Sequence, residues 1–421
     1  MSRLLPVLGA AVLLQTAAAM SSNALPVLGP ELTSAVGLPA ETVGLFSSLT
    51  AVGTMWFMLV SGKALPRIGP VRTLQLGMLV CAAALAAATA GIGAVALAAA
   101  VVIGFGYGPT APASSEVLAR LAPPRRAALV FSIKQAAAPL GGAIVGLLVP
   151  FVAVRLGWQA ALLAVAAPVV LAGILVQPLR AGLDAGRDPR RPLSPRDLVA
   201  LSSLRRPVDS MRLSPALPPL TAAGVAFAVL QGSTFAFLVT YLVERVGFGL
   251  EAAGAAFTAL QALGMIARVV AGWLAGPVFD PRRVLAFTAI ASVATTLVVA
   301  AFDPGWPVWL VVLVCAVDGV AVAGWTGVYL AEVARAAPAG RVADATAGST
   351  FFVFIGYVLG PAAFGGLVAL TGSYALAFAA AALLVLAAGV RLALRDPLAE
   401  AAAPREAAPP ERRPGGTAAP D

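Results

Sequence analysis

The stretch EVLARLAPPRR, from Glu116 to Arg126, returns later in the chain as EVARAAPAGR, from Glu332 to Arg341. Each copy closes a long apolar run with an acid, a base and a proline-containing turn. A second pair of apolar runs ends at Gly62 and Gly272, each just before a basic turn. The members of the two pairs lie 216 and 210 residues apart. This near-constant spacing indicates a duplicated unit, and each copy contains six apolar runs.

Composition places the duplicated unit in a membrane. Hydrophobic residues make up 60% of the 421 residues, and charged residues 11%, against about 25% in soluble domains. Each run is long enough to cross a bilayer as a helix, which takes roughly 20 residues, and none alternates as a strand would. We therefore predict an all-α integral membrane protein with twelve transmembrane helices in two pseudo-symmetric six-helix bundles. The predicted spans are 4–28, 41–61, 71–91, 93–117, 127–153, 158–178, 217–243, 250–275, 283–302, 307–331, 346–371 and 374–394.

Polar segments divide the chain. We predict an N-terminal bundle over residues 1–178, a basic cytoplasmic linker over 179–216 and a C-terminal bundle over 217–395. The linker is rich in Arg, and one short surface helix is predicted near 196–204. From residue 396 onward the chain is rich in Pro, Ala, Gly and charge, which is typical of a disordered tail over 396–421.

The basic residues indicate orientation. The chain has 28 Lys and Arg against 19 Asp and Glu, a net charge of +9. With both termini cytoplasmic, all but four basic residues lie on the inner side. Arg155 and Arg245 fall in outer loops, and Lys134 and Arg268 fall inside spans. This asymmetry predicts a multi-pass protein of the inner or plasma membrane that contacts anionic lipid, not nucleic acid. The excess of Arg over Lys indicates a bacterial source.

The sequence lacks the residues that several classes of function require. The chain has no His and two Cys, Cys81 and Cys315, both inside predicted spans, so we predict no metal site and two apolar packing residues. The string SGKAL at Ser61 lacks the first Gly and the final Ser or Thr of a P-loop, which argues against a nucleotide-driven pump. No catalytic cluster is evident. We expect neither an enzyme nor a cofactor, and we predict transport driven by an ion gradient.

The inner turns resemble a known family. The turn after the second span reads GKALPRIGPVR, and the matching turn of the second half reads GWLAGPVFDPRR. With the 6+6 layout and the basic central loop, they resemble the major facilitator superfamily, whose turn reads G-x-x-x-D-R-x-G-R-[RK]. The resemblance covers the chain from about residue 3 to 395, but the acidic position is Pro66 here and Gly276 in the second half. The residues that match or stand near the pattern are Gly62, Arg67, Gly69, Arg72, Gly272, Arg282 and Arg283.

The resemblance implies a gate at these turns, and the alternative is a set of anchors at the anionic inner surface. Two further charge pairs recur at inner helix ends, Glu116 with Arg120 and Glu332 with Arg335. Their recurrence in both halves favours a hinge or gate, although helix-end ion pairs of this spacing are common without any such role.

A glycine-proline pattern occurs in the fifth and eleventh spans. APLGG at 138–142 and GPAAFGG at 360–366 resemble the G-P-x-x-G-G motif of antiporters in the superfamily. Close helix packing without antiport is the favoured interpretation. No Arg lies between Arg72 and Arg120, so the fourth-span Arg that the family links to proton coupling is missing. The predicted packing residues are Pro139, Gly141, Gly142, Gly360, Pro361, Gly365 and Gly366.

Three ionisable residues fall at membrane depth, where charges are costly and are candidates for function. The family fold puts the fifth, eighth and tenth helices on the cavity side, and these carry Lys134, Arg268 and Asp318. We hypothesise that Lys134 and Arg268, from opposite halves, bind an anionic group of the substrate. Alternatively, both side chains snorkel to the interface or form a structural bridge. Asp318 is the candidate for proton coupling, or for a pair with Arg268.

The predicted function is secondary active transport of a small organic solute by alternating access. The cations favour an organic anion or carboxylate with H⁺ as the coupling ion. The alternative is a proton-coupled drug or metabolite efflux antiporter, with a purely apolar cavity and Asp318 unpaired. A monomer is the family default. Four further candidates for contact with the substrate are Asn23, Tyr107, Gln231 and Trp325.

Overall fold

Sixteen α-helices account for most of the chain in a computed structural model, which describes residues 4–123, 127–194, 201–274 and 280–398. The helices are α1 Leu4–Val27, α2 Gly29–Ala35, α3 Val43–Ile68, α4 Pro70–Ala88, α5 Gly93–Tyr107, α6 Thr110–Leu121, α7 Ala127–Leu156, α8 Trp158–Leu175, α9 Gln177–Leu183, α10 Arg205–Met211, α11 Leu217–Glu244, α12 Leu250–Leu274, α13 Pro281–Ala300, α14 Val308–Ala336, α15 Val342–Thr371 and α16 Tyr374–Leu394.

The twelve predicted spans are confirmed as helices long and apolar enough to cross a membrane. The fourth span consists of α5 and α6, and each of the other eleven contains one long helix. The two halves pack alike: α1 contacts α7 and α8 as α11 contacts α15 and α16, and α4 contacts α5 and α8 as α13 contacts α14 and α16. The sequence duplication is therefore a duplication of structure.

Matching glycines explain part of this symmetry. A Cβ at Gly104 would overlap the backbone oxygen of Thr50, and a Cβ at Gly319 would overlap that of Leu260. Gly104 brings α5 against α3, and Gly319 brings α14 against α12 at the equivalent place. Glycine permits such backbone contact between membrane helices, where the hydrophobic effect between helices is weak.

Several predicted boundaries were wrong. Helix α3 continues past residue 61 to Ile68, and α14 past 331 to Ala336, because the residues that follow the apolar runs, such as Lys63 and Glu332, still favour a helix. The fourth span breaks at Gly108 and Pro109. In the linker, residues 195–200 lie outside the described part of the chain, and a short 3₁₀ helix covers Leu201–Leu204 at the end of the predicted 196–204. Helix α9 crosses the start of the linker, and α10 follows the 3₁₀ helix. The predicted disordered tail lies outside the described residues beyond 398.

The halves meet at the face opposite the linker. There a Cβ at Gly254 of α12 would overlap the backbone oxygen of Gly146 of α7, and one at Gly44 of α3 would overlap that of Pro361 of α15. These two contacts occupy equivalent positions in the duplicated halves. Interlocked backbones on both sides of the interface therefore hold this face of the molecule closed.

The two cysteines lie inside spans, as predicted. Cys81 and Cys315 are each fully buried and are not in a disulfide. The Sγ of Cys81 donates weakly to the backbone oxygen of Ile103 at 3.5 Å. Both therefore belong to the helix-packing core.

Candidate substrate cavity

A cavity of about 1460 Å³ lies between the two halves. Its walls come from the first, second, fourth and fifth spans of one half and from the seventh, eighth, tenth and eleventh of the other. It extends to the linker face, where Arg206 of α10 and Asp344 of α15 contribute to the wall. All six predicted substrate contacts lie on this cavity: Lys134, Arg268, Asn23, Tyr107, Gln231 and Trp325.

Lys134 projects from α7 and is 2% exposed. Its Nζ donates to Ser115 Oγ on α6 at 3.4 Å. In the part of the chain that the structure describes, no Asp or Glu forms an ion pair with it. A buried ammonium with one long hydroxyl contact retains donors for a ligand. Ser115, which the sequence analysis did not single out, positions this cation.

Arg268 projects from α12 in the other half. Its Nε donates to the backbone oxygen of Ala323 on α14 at 2.8 Å, which fixes the guanidinium plane. Tyr107 of the first half and Tyr357 of the second line the same cavity as this guanidinium. Among the described residues it forms no ion pair, so its two terminal nitrogens remain as a fork suited to a carboxylate.

Gln231 is the centre of a polar cluster in the second half. Its Oε1 accepts from Trp325 Nε1 at 3.0 Å and from Tyr357 Oη at 2.8 Å. The Trp325 indole also stacks on Phe227 with ring centroids 5.1 Å apart. Both donors point at the amide oxygen, which leaves the amide nitrogen of Gln231 for other partners.

Asn23 lies on α1 in the first half, where its Nδ2 donates to the backbone oxygen of Ala19 at 2.8 Å. The amide nitrogen is therefore partly occupied by its own helix. The two halves thus differ, because among the residues that the structure describes only the second half contributes an aromatic and amide cluster of this kind to the cavity.

Asp318 lies away from the cavity wall. Its carboxylate accepts from Thr295 Oγ1 at 2.6 Å and from Thr296 Oγ1 at 3.4 Å, both on α13. It is 1% exposed. The predicted alternative of a pair with Arg268 is wrong, because Arg268 bonds to Ala323 instead. Asp318 is thus held at the contact between α13 and α14.

The first-half turn is organised by an acid from a distant helix. Gly69 has φ +93° and separates α3 from α4. Asp184, after α9, accepts from the backbone nitrogens of Val71 at 2.8 Å and Arg72 at 3.0 Å. Arg67 lies in the last turn of α3 and donates Nη1 to the backbone oxygen of Leu193 in the linker at 3.2 Å.

Gly62 also lies inside α3, rather than at its end, so the prediction that it closes the helix was wrong. It lines the cavity, and a Cβ there would be 2.9 Å from Arg206 Nη1 of α10. Lys63 and Ala64 continue the helix, and Pro66 is tolerated near its end. The turn itself is formed by Gly69 alone.

The second-half turn uses its own acid. Asp280 caps α13 by accepting from the backbone nitrogen of Arg282 at 3.1 Å. Arg282 pairs with Asp280 at 3.9 Å and with Asp396 at 3.7 Å. Arg335 pairs with Glu332 at 2.8 Å and with Asp280 at 4.0 Å.

The other predicted gate residues lie at the same face of the molecule. Glu116 and Arg120 form an ion pair within α6. Arg283 is exposed at the start of α13, and Gly272 lies in α12 near its end. The structure thus places the predicted gate residues at the linker face, and their role remains a prediction.

The repeat of the glycine-proline pattern was wrongly aligned. Gly141 of α7 abuts the backbone of Thr16, and its structural equivalent is Gly356, which abuts the backbone of Val225 in the same way. The spacing of 215 residues falls between the spacings of 210 and 216 in the other repeats, whereas Ala138 and Gly360 are 222 apart. Aligning the two motifs by residue type shifts the second copy by about two helical turns from its structural equivalent.

Most of the predicted packing residues do sit at close contacts. A Cβ at Gly142 would overlap Gln261, and one at Gly360 would lie 2.7 Å from the backbone oxygen of Val229. Gly365 lies against the backbone of Glu41. Gly366 is an exception, because a Cβ there would have no neighbour within 4 Å. Pro139 and Pro361 line the cavity.

The fold is that of a polytopic membrane protein in which two pseudo-symmetric bundles enclose one cavity. The family model for the Major Facilitator Superfamily matches residues 11–361, and the chain belongs to this superfamily.

Two curated relatives are similar in sequence. Both are described as uncharacterized MFS-type transporters of Mycobacterium tuberculosis, one from strain CDC 1551 / Oshkosh and one from strain H37Rv. Each is 27% identical over 301 residues, which is 71% of this chain and 65% of the relative. The chain therefore matches just under two thirds of the relatives' length.

Solved structures share the fold. A bacterial homolog of the human lysosomal transporter Spinster, in an inward-facing and occupied conformation, matches with TM-score 0.71 and 15% identity, over 94% of this chain and 96% of that one. A POT family transporter in complex with 5-aminolevulinic acid matches with TM-score 0.72 and 13% identity, over 92% and 95%. A peptide transporter POT in complex with sulfate matches with TM-score 0.71 and 17% identity, over 92% and 94%.

Proposed function

We propose that this transporter moves a small organic anion, a carboxylate, across the bacterial cell membrane by alternating access with H⁺ as the coupling ion. The observation that carries the proposal is the placement of Lys134 and Arg268. They come from different halves, line one cavity and form no ion pair with a described acid. An anion that binds both would draw the halves together, which is what closure around a substrate requires.

The acids of the cavity wall support an anionic substrate. Three carboxylates line the wall, and each is already paired: Glu116 with Arg120, Asp209 with Arg212 at 3.6 Å, and Asp344 with Arg341 at 2.6 Å. The wall therefore has an excess of positive charge, and Lys134 and Arg268 carry it in the interior of the cavity. Efflux of an apolar drug would be favoured by a purely apolar cavity and by an Asp318 without a cation partner. The structure matches the second condition, but the cavity is not purely apolar, because Lys134 and Arg268 line it.

A binding screen tests the substrate class. Purified protein is heated with monocarboxylates, dicarboxylates or cationic drugs at two pH values, and the unfolding midpoint is recorded. Carboxylates should raise the midpoint of the native protein, because a ligand that binds only the folded state stabilises it. The effect should vanish in the Lys134→Gln, Arg268→Gln double variant and persist in Arg155→Gln, whose cation lies at the opposite face. Stabilisation by cationic drugs alone, or by carboxylates in the double variant, would contradict the proposal.

Asp318 is the proposed site of the coupling proton. It is buried at the α13–α14 contact, with hydroxyl donors and no cation partner among the described residues. In proteoliposomes, Asp318→Asn should abolish accumulation driven by a pH gradient while leaving exchange of labelled for unlabelled anion intact. Gradient-driven accumulation that survives in this variant would place the coupling proton elsewhere.

The linker face is proposed to be cytoplasmic. Lys and Arg are concentrated there, whereas Arg155 and Arg245 lie at the other face. The cavity then opens inward in this structure. Labelling of a cysteine placed at Arg190 from outside intact cells would overturn the orientation.

A further inference from the structure

We propose that the lipid-facing side of α16 binds an anionic phospholipid, with the phosphate group on Arg391 and Arg395 and an acyl chain along the apolar residues that precede them. The site lies outside the substrate cavity. The inference therefore goes beyond the proposed function and does not depend on it.

A groove of about 520 Å³ runs along the outer side of α16, and its lining residues all belong to that helix, between Leu383 and Arg395. Leu383 is 62% exposed and Leu394 is 80% exposed. The opposite side of the helix, which includes Val385 and Gly389, is buried against neighbouring helices. In a helix that spans a membrane, the exposed side faces the bilayer, so the groove is open to lipid.

The groove has the length of one leaflet. Leu383 and Leu394 are eleven residues apart, which corresponds to about 16 Å along a helix. That is about half of the hydrocarbon thickness of a bilayer, which is roughly 30 Å. Ala387 lines the groove between these leucines, and its single methyl group leaves a notch between larger neighbours. An acyl chain of the leaflet on the linker side fits along this stripe.

The groove ends in two arginines at the linker face. Arg391 and Arg395 are four residues apart, so they lie one turn apart on the same side of the helix. Both are exposed, and among the residues that the structure describes neither forms an ion pair. Asp396, the next residue in the chain, pairs with Arg282 at 3.7 Å instead. Both guanidinium groups are thus available at the depth of the headgroups, and their planar fork suits a phosphate.

The equivalent side of the first half lacks this pair of cations. Gly173 of α8 and Gly389 of α16 pack against equivalent helices, α4 and α13, and lie 216 residues apart. The same spacing aligns the two arginines with Leu175 and Leu179. The two halves therefore pack alike without sharing these charges, so the packing of α16 does not require the arginines.

The combination of a basic end and an apolar groove selects the occupant. A soluble anion would contact the arginines but leave the groove unused, and a zwitterionic lipid would fill the groove but bring no net charge. An anionic phospholipid matches both features, and basic residues beside a membrane surface attract such lipids. Arginines also complement the partial negative charge at the end of a helix, but that role does not involve Ala387.

Native mass spectrometry of the purified full chain tests the proposal. The protein in detergent is titrated with phosphatidylglycerol or with phosphatidylcholine of the same acyl chains, and the fraction with bound lipid is measured. Phosphatidylglycerol should bind at least about tenfold tighter, since each arginine near an anionic lipid contributes roughly fivefold. The Arg391→Gln, Arg395→Gln double variant should lose this preference. The Arg187→Gln, Arg190→Gln double variant removes two exposed linker arginines and the same net charge, and it should keep the preference.

Ala387→Leu tests the groove without changing the charge. The larger side chain should fill the notch and weaken the binding of both lipids severalfold, because it excludes the acyl chain from van der Waals contact with the helix. Ala393→Leu, at an exposed position outside the groove, is the matched control and should change neither lipid. All of the substituted side chains are exposed, so folding should survive in every variant.

Four results would overturn the proposal. Equal binding of the two lipids to the native protein would show that α16 does not select an anionic headgroup. An equal loss of preference in the two double variants would assign the selection to net charge rather than to a site. Unchanged lipid binding in Ala387→Leu would remove the acyl chain from the groove. Competition by glycerol 1-phosphate at the same concentration as the lipid would assign the arginines to a soluble anion. Carboxylate transport is tested separately, because the cavity lies elsewhere in the molecule.

Discussion

The inner turns of the two halves achieve the same end with residues of different origin. In the first half, Asp184 reaches from the end of α9 to the first turn of α4, more than 110 positions away in sequence. In the second half, Asp280 caps α13 from the residue immediately before it. Asp396, which lies 212 residues after Asp184, is the counterpart by position, and it pairs with the side chain of Arg282 at 3.7 Å.

The comparison shows that both halves need a hydrogen-bond acceptor at the start of the helix after the turn, and that they do not need the same sequence motif to supply it. Four backbone N–H groups and a partial positive charge at the start of a helix need an acceptor. The first half has no acid in its turn, where Pro66 stands, and obtains one from the linker side of the sixth span. The sequence motif lacks its acid there, but in the structure Asp184, which is distant in sequence, accepts the hydrogen bonds of the helix terminus.

The largest predicted effect is that of Asp184→Ala. The side chain is 5% exposed and accepts two backbone hydrogen bonds, so its removal should cost about 2–3 kcal/mol. The unfolding midpoint in detergent measures this loss. Asp188→Ala removes an exposed linker acid and serves as the control, which should stay within about 0.5 kcal/mol of the native protein. Equal losses in the two variants would show that Asp184 does not cap α4.

Gly69→Ala should produce the next largest loss, about 1–2 kcal/mol, because φ +93° is strained for alanine and the new Cβ would crowd Asp184. Gly340→Ala is the matched comparison, since Gly340 has φ +77° and a Cβ added there would have no neighbour within 4 Å. The difference between the two midpoints isolates contact with Asp184. Equal midpoints for the two variants would show that a Cβ at position 69 does not crowd Asp184.

Asp280→Ala should cost about 1 kcal/mol, the usual loss of a helix N-cap. Its effect should be smaller than that of Asp184→Ala because the side chain is 38% exposed and water can replace it. An Asp280→Asn variant should restore most of the midpoint, since Asn is also a good cap. A loss in Asp280→Ala that exceeds the loss in Asp184→Ala would reverse the comparison.

The smallest effect is expected for Asp396→Ala. Its pair with Arg282 spans 3.7 Å and is 39% exposed on the acid side, which corresponds to at most about 0.5 kcal/mol. The unfolding midpoint of the variant should also depend slightly less on salt concentration than that of the native protein, because the Asp396–Arg282 ion pair is absent. A loss above about 1 kcal/mol would indicate that Asp396 supports the α13 terminus as strongly as Asp184 supports α4.

The layout of the fold was predictable because spans, duplication and charge asymmetry are properties of composition along the chain. The six predicted contact residues do line the cavity, since polar and aromatic residues are conspicuous on apolar helices and the family resemblance gave the cavity-side spans; their contact with a substrate stays a prediction. The role of Ser115 and the docking of α10 beside Gly62 were not predictable, because they depend on which helices meet. Nor could Asp318 be placed, since its depth is set by sequence but its neighbours Thr295 and Thr296 are set by helix rotation.

The burial of both native thiols has a practical consequence. Neither Cys81 nor Cys315 offers accessible surface to a reagent. A maleimide added to cells or vesicles should therefore report only on a cysteine introduced by design, with no need for a cysteine-free background. Each loop of the molecule can then be assigned to one side of the membrane, one substitution at a time, in the otherwise native chain.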